Sequence, residues 1–385
     1  MANRYSATIP SAKSNITTTL EYVEGSHPKH QARLVGRNVL IPDLDLASFR
    51  CVAVIDWLVV EVRLSRPTQF RYIQESIVEA IERKCWIEQL DAAGMLFRIR
   101  FQEPNMTAVA AALIQLETSY KLISPPAISG MEVSVDFTPE VPSEELRRKL
   151  FGLLVRHHFP GKGVLLHKWS RPRSAWGSVR STRFVSPWNH RRWNEGDVPA
   201  PSDGTFYVGG KIIGPMWRIM DKIIDNQNIA AKTFRVLEEH ERRIRIEVTF
   251  NDDELAKLGI ETVGDLERFR FTTLQRAYFR FMLPTFSDLT VPVAGVARSI
   301  RRCLERERRT KFLTTGVLGL EAMDEHLARE KKRLRKALVA RFKKEKRLVQ
   351  PERRVGAGPT GCLLAFDELN ARIETALRHL GERVR

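Results

Sequence analysis

No stretch of this chain approaches the ~18 consecutive apolar residues that a membrane-spanning helix needs, and its first residues lack the apolar core of a secretory signal. Both absences lead to the expectation of a cytoplasmic protein with no membrane span. Cysteine is scarce: Cys51, Cys85, Cys303 and Cys362 form no CxxC pair and no zinc-ligand spacing. That argues against a disulfide framework or a zinc site and for reduced thiols. No internal repeat is detectable. Acidic residues are outnumbered, 46 Asp and Glu against 63 Lys and Arg, for a formal net charge of +17. Such an excess implies a polyanionic partner, nucleic acid or an acidic membrane surface, and with no membrane signal nucleic acid leads.

Acidic residues vanish entirely between Gly161 and Asn194, where Lys162, Lys168, Arg171, Arg173, Arg180, Arg183, Arg191 and Arg192 accumulate. Four of the seven tryptophans fall in the same stretch: Trp169, Trp176, Trp188 and Trp193. Cations neutralise phosphates and flat rings stack on unpaired bases, so the interleaving fits a single-strand nucleic-acid groove. The competing reading is a long surface loop whose tryptophans pack on a sheet. His157, His158, His167 and His190 lie nearby but show no metal-ligand spacing, so they read as structural or phosphate-contacting residues.

At 385 residues the chain exceeds the ~100–200 of a typical domain. The expected division is a polar mobile arm over 1–45, a main domain over 46–290, a basic helical extension over 291–350, and a linker with a terminal helix over 351–385. Strands are predicted over 52–64, 95–102 and 130–138, and helices over 70–81, 106–122 and 146–159, from period-2 and helical spacing respectively. Then comes GTFYVGGKIIGPMWRIMDK and, further on, RRIRIEVTF. In the first, Trp217 and Ile219 oppose Met216, Arg218, Met220 and Lys222. In the second, Ile244, Ile246, Val248 and Phe250 oppose Arg245, Glu247 and Thr249. In the strand over 130–138, Val133, Val135 and Phe137 likewise oppose Glu132, Ser134 and Asp136. The fold class expected is α+β, a mostly antiparallel central sheet with helices on one face and a basic helical C-terminal extension. A solvated outer sheet face is the plain alternative for the polar side.

The run TFYVGGKIIGPMWRIMDK resembles the signature of trans-acting rolling-circle replication initiators of plasmids and filamentous phages, and of the related conjugative relaxases. That signature ends an aromatic strand in Tyr-hydrophobic-Gly and continues, after a turn, with Arg-Ile-Tyr-Asp-Lys. Residues Arg218-Ile219-Met220-Asp221-Lys222 match it at every position but one. Arg245-Ile246-Glu247, Val133-Ser134-Val135-Asp136 and Ile55-Asp56-Trp57-Leu58 resemble the family's other strands, in the family's order, over roughly residues 50–285. The resemblance implies DNA nicking through a 5′-phosphotyrosyl link. It also implies a divalent ion, Mg²⁺ or Mn²⁺, held by Asp136 and Glu247, with Lys222 at the phosphate and Arg218 and Arg245 on DNA. Met220 stands where the family carries its nucleophile, and a thioether does not form a phosphate ester. Either the chain binds single-stranded or hairpin origin DNA without the usual nicking, or another tyrosine substitutes, Tyr207 being nearest and Tyr278 reading as core. An RNA-binding or accessory role is the third reading. Beyond Ala294 a basic helix carries Lys331-Lys332-Arg333, Arg335-Lys336 and Lys343-Lys344, suited to duplex phosphates or to a second copy of the chain.

Overall fold

Alternation, not a polar arm, governs the N-terminal segment of the computed structural model, which describes residues 3–26, 34–82, 85–166, 170–176, 183–185, 197–210, 214–228, 233–288, 296–345 and 363–385. Strand β1 (Arg4–Pro10) buries Ala7 and Ile9, β2 (Thr17–Gly25) buries Leu20 and Tyr22, and β3 (Arg37–Pro42) buries Val39 and Leu40. The expected mobile arm over 1–45 is therefore corrected. Its polar half is the outward side of paired strands, which composition averaged into a loop-like signal. With strands numbered along the chain, β1, β2 and β3 continue into β15 (Met282–Ser287) and β16 (Leu363–Ala365), all antiparallel.

The chain divides into two compact units, each gathered from distant segments. The first comprises Met1–Ala47, Ser143–Phe206 and Arg280–Asn370. Besides the sheet it holds helix α3 (Glu144–His157), started by the Ser143 side chain accepting from the Leu146 amide at 3.2 Å. It also holds helix α7 (Val296–Lys344), broken at Gly316, and the antiparallel pair β8 (Arg173–Trp176) and β9 (Arg183–Val185). Gly316 has φ +74°, and a Cβ there would collide with the Arg156 backbone. Glycine is required where the two helices cross so closely. At the centre His157 is fully buried. Its Nδ1–H donates to the Met282 carbonyl at 2.7 Å, leaving Nε2 to accept from the Tyr22 hydroxyl at 3.2 Å. Burial pushes the His157 pKa down to about 3, so it stays neutral.

The second unit comprises Ser48–Pro142, Tyr207–Phe279 and Ala371–Arg385. Its sheet runs β5 (Trp86–Gln89), β6 (Leu96–Gln102), β4 (Phe49–Arg63), β7 (Ala127–Pro139), β14 (Arg243–Asn251), β11 (Met216–Lys222) and β10 (Thr205–Gly209). The pairings from β5 through β11 are all antiparallel. A separate hairpin pairs β12 (Ile224–Asn228) with β13 (Thr233–Val236). Helices α1 (Phe70–Ile81) and α2 (Met106–Tyr120) fall where the apolar spacing predicted them, burying Ile73 and Ile77, and Val109, Ala112 and Leu116. Three short helices, α4 (Asp252–Leu258), α5 (Val263–Arg268) and α6 (Thr273–Ala277), follow β14. Helix α8 (Asp367–Val384) buries Ile373, Leu377, Leu380 and Val384 within the chain, so its apolar stripe is already occupied.

The architecture is α+β with antiparallel sheets and a C-terminal helix. No helix among the described residues is long and apolar enough to cross a membrane.

Candidate functional site: a buried ionic face of the sheet

On the core side of the second sheet, Val133, Val135 and Phe137 meet Ile244, Ile246 and Val248, with Trp217 and Ile219 beyond, all essentially inaccessible. The opposite side carries the polar set in register. Across β7, β14 and β11 one row is Glu132, Thr249 and Met216. The next is Ser134, Glu247 and Arg218, and the third is Asp136, Arg245 and Met220. The polar positions predicted from alternation thus share one face. They are not solvated: Glu132, Arg245 and Glu247 are 1%, 2% and 4% exposed.

A bulge adds the piece that alternation missed. In β4, Ile55 pairs with Val133 and Trp57 with Glu132, which leaves Asp56 as an extra residue without a partner. The bulge turns two consecutive side chains to the polar side, a re-aiming that bulges commonly provide near functional sites. Asp56 reaches Arg245 at 2.6 Å and Gln102 at 3.4 Å, while Trp57 lies under the Arg100 guanidinium, 4.4 Å from its ring centroid.

Ligand oxygens of Asp56, Glu132 and Glu247 all lie within 4.8 Å of one another. Hard carboxylate oxygens in such a set suit Mg²⁺ or Mn²⁺. Arg218 closes the cluster: its Nη2 lies 2.8 Å from both Glu132 oxygens and 2.5 Å from Glu247 Oε2. The contact with Glu247 is close but poorly directed, and Oε2 is buried without a hydrogen-bond donor. Burial pushes the Glu247 pKa up to about 7, with Glu132 and Asp56 adding to the rise and Arg218 and Arg245 opposing it. Asp56 is held below the usual carboxylate range by Arg245, with Lys222 and Arg218 adding to it, against the burial that would raise it. The donor set and the orphaned Glu247 oxygen fit a hard divalent ion, which would compete with Arg218 for the same oxygens.

Asp136, expected as a ligand alongside Glu247, is not in this cluster. Arg245 takes both of its oxygens, at 2.6 and 2.7 Å, and Arg243 adds a third bond at 2.9 Å. The ligand pair expected from the resemblance is therefore corrected: Glu247 meets Asp56 and Glu132 instead. Arg245 is corrected likewise, since a guanidinium 2% exposed and bound to Asp136 and Asp56 is not offered to DNA. Arg218 keeps 28% of its side chain exposed. Met220 sits on the polar face opposite Arg245 and is half-buried. Lys222 faces Arg243 across the strands and pairs with Asp225 at 2.9 Å. Tyr207 is half-buried in β10, which pairs with β11, the strand that carries Arg218. Tyr278 is core, its ring edge-on to Phe250 at 4.8 Å and its hydroxyl donating to Glu254 at 3.0 Å.

Of the Trp/Arg stretch, Lys168, Trp169, Arg180, Trp188, Arg191, Arg192 and Trp193 lie outside the described residues, as do His167 and His190. Arg183 is placed in β9 by its backbone alone. Arg171 is half-buried with no acceptor for its Nε, and Arg173 and Trp176 are half-buried in β8. These belong to the first unit.

Sequence reasoning gave Asp56 and Glu132 no ligand role. One signal for Asp56 was available: it is the sole charge between Cys51 and Val60, in an otherwise apolar strand. Compared with known proteins, the chain matches no family model, and no curated protein matches its sequence.

Proposed function

We propose that the second unit binds DNA of a mobile element, placing a single strand against the polar side of its sheet with a divalent ion at Asp56, Glu132 and Glu247. The observation that carries this reading is the convergence of three carboxylates from β4, β7 and β14 beneath Arg218, on a chain of formal charge +17. An ion bound there would neutralise charge on a backbone phosphate. Arg218 supplies the same service from the protein and orients the phosphate through its fork of donors. The basic excess steers the strand towards the site and makes binding salt-dependent.

The test is fluorescence anisotropy of a labelled origin-type oligonucleotide at fixed salt, with and without Mn²⁺, for wild type and Glu247→Gln. Tighter binding with Mn²⁺ in wild type and loss of that increment in Glu247→Gln is expected. Equal binding of single-stranded DNA, duplex and RNA, with no effect of metal, would overturn the reading in favour of an RNA-binding or accessory role.

A second reading, nicking through Tyr207, is favoured by its place on β10, which pairs with β11, the strand that carries Arg218 and Met220. In it a bond forms between Tyr207 Oη and phosphorus while the bond from phosphorus to the 3′-oxygen breaks. The phenolic proton ends on the released 3′-hydroxyl, and the 5′-phosphate stays on the protein. A labelled adduct that survives SDS and disappears in Tyr207→Phe selects this reading. Binding with no adduct selects binding alone.

A further inference from the structure

A second feature of the same unit lies beside the carboxylate cluster. Trp57, Arg100, Glu132, Met216, Arg218 and Thr249 line a pocket of about 310 Å³, at the small end of ligand cavities (about 300–1000 Å³). Gly210 and Gly214 also line it, and just before them Gly209 has φ +82° and a Cβ there would collide with the Pro215 carbonyl. Trp57 fits because Gly130, across the strand pair, has no side chain: a Cβ there would stand 3.1 Å from the indole.

Two arginines enter this pocket with capacity to spare. Arg98 and Arg100 lie on the same side of β6, one pleat apart, yet Arg98 is bound by Glu61 at 2.6 Å and Glu88 at 3.3 Å. Arg100 has no carboxylate within ion-pair distance among the described residues, and its Nε is buried without an acceptor. The Trp57 ring holds the guanidinium in place by a cation–π contact and offers it no hydrogen bond. Arg218 commits Nη2 to Glu132 and Glu247, but its Nε too is buried without an acceptor. Among the lining residues two are guanidiniums and one is a carboxylate, Glu132, itself occupied by Arg218 and by the Thr249 hydroxyl at 2.5 Å. Asp56 and Glu247 lie close to Glu132 but do not line the pocket. Unmet buried donors of this kind carry the full cost of desolvation until an acceptor arrives.

We propose that this pocket is an oxyanion subsite in which Arg100 and Arg218 bind a backbone phosphate of the DNA strand, with Trp57 positioning Arg100. Inorganic phosphate and pyrophosphate offer the same chemistry. The identification of the anion as part of a strand rests on the reading above; the existence of the anion site does not.

The test measures single-strand affinity of the intact protein against salt, in EDTA so that no divalent ion contributes to it. Removing one phosphate contact lowers the magnitude of the slope of log K on log[salt] by about 0.7. Arg100→Gln is expected to show that loss and about tenfold weaker binding at low salt, while Arg100→Lys keeps the slope. A merely structural arginine would change affinity without changing the slope. An unchanged slope in a folded Arg100→Gln protein overturns the subsite and leaves the DNA reading standing. If wild type binds no DNA, that reading fails, and pyrophosphate decides the subsite by thermal shift. A shift in wild type that is absent in Arg100→Gln supports an anion site for a free phosphate compound, and no shift in wild type overturns it.

Discussion

Both units bury a fully paired guanidinium among carboxylates, and the second unit sets beside it two arginines that are not fully paired. In the first, Arg308 uses all three of its nitrogens: Nε and Nη2 donate to Asp324 at 2.9 and 2.8 Å, and Nη1 to Glu305 at 3.2 Å. Glu305 in turn accepts from the Ser287 amide and hydroxyl. In the second, Arg245 is similarly matched by Asp136 and Asp56, whereas Glu247 Oε2 has an ion-pair contact with Arg218 but no hydrogen bond, and Arg218 Nε and Arg100 Nε have no acceptor. A closed network stabilises a fold; an open one has unused capacity for a ligand. Arg171 and Arg309 in the first unit also leave Nε without an acceptor, but only at the Arg218 end of the second sheet do such atoms adjoin the Asp56, Glu132 and Glu247 cluster. The proposed site is therefore put there rather than at either fully paired arginine.

The comparison is tested most strongly by cutting the closed networks. Arg308→Met and Arg245→Met each leave buried carboxylates uncompensated, and each is expected to destabilise the protein by about 3–5 kcal/mol in urea unfolding. Converting Arg308, Asp324 and Glu305 together to Met, Leu and Gln should recover most of that loss, because the ion cluster is removed while the Gln side chain still offers Ser287 an acceptor. Recovery with unchanged single-strand affinity marks the Arg308 centre as structural. Loss of affinity in that folded triple variant breaks the comparison.

Acid sharpens it, because the two buried centres respond with opposite sign. His157 is neutral in the fold with a pKa near 3, against an ordinary value of 6.5. Between these the unfolded chain binds more protons, so its contribution is complete above pH 6.5 and is lost as pH falls towards 3. Glu247, near 7 against an ordinary 4.5, binds its proton more tightly in the fold. Its contribution is complete below pH 4.5 and is lost as pH rises to 7. Each single-proton effect has a limiting slope of about 1.4 kcal/mol per pH unit. Urea unfolding across pH 4.5–7 in EDTA should therefore show Glu247→Gln gaining relative to wild type as pH rises. A difference independent of pH would mean that Glu247 titrates in the fold as it does in the unfolded chain.

How much of this was legible in the sequence depended on whether pairing or averaging carried the signal. Period-2 alternation placed Glu132, Ser134, Asp136, Arg245, Glu247, Arg218 and Met220 on one side of β7, β14 and β11, and register then brought them together. The bulge at Asp56 was not legible, since an inserted residue shows only when its partner strand is known. Nor was the closure of Asp136 by Arg243 and Arg245. Alternation says which residues share a face and nothing about which charges choose one another. The N-terminal strands were misjudged for the opposite reason, because a polar outer face diluted a clear inner one formed by Ala7, Ile9, Leu20 and Tyr22.

The smallest expected effect separates the two tyrosines. Tyr278 packs on the apolar side, its carbonyl accepting from Trp217 Nε1 at 2.8 Å and its hydroxyl donating to Glu254 at 3.0 Å. Tyr278→Phe removes one hydrogen bond from a carboxylate that Lys257 also holds at 2.6 Å, so the expected cost is about 1 kcal/mol. DNA affinity and any SDS-resistant adduct should be unchanged. Tyr207, half-buried and on the ionic side, should show the reverse: Tyr207→Phe shifts stability by less than about 0.5 kcal/mol while removing the adduct, if one forms. An adduct that survives Tyr207→Phe and is lost in Tyr278→Phe would move the reacting centre to the apolar side and undo the assignment of chemistry to the Arg218 end of the sheet.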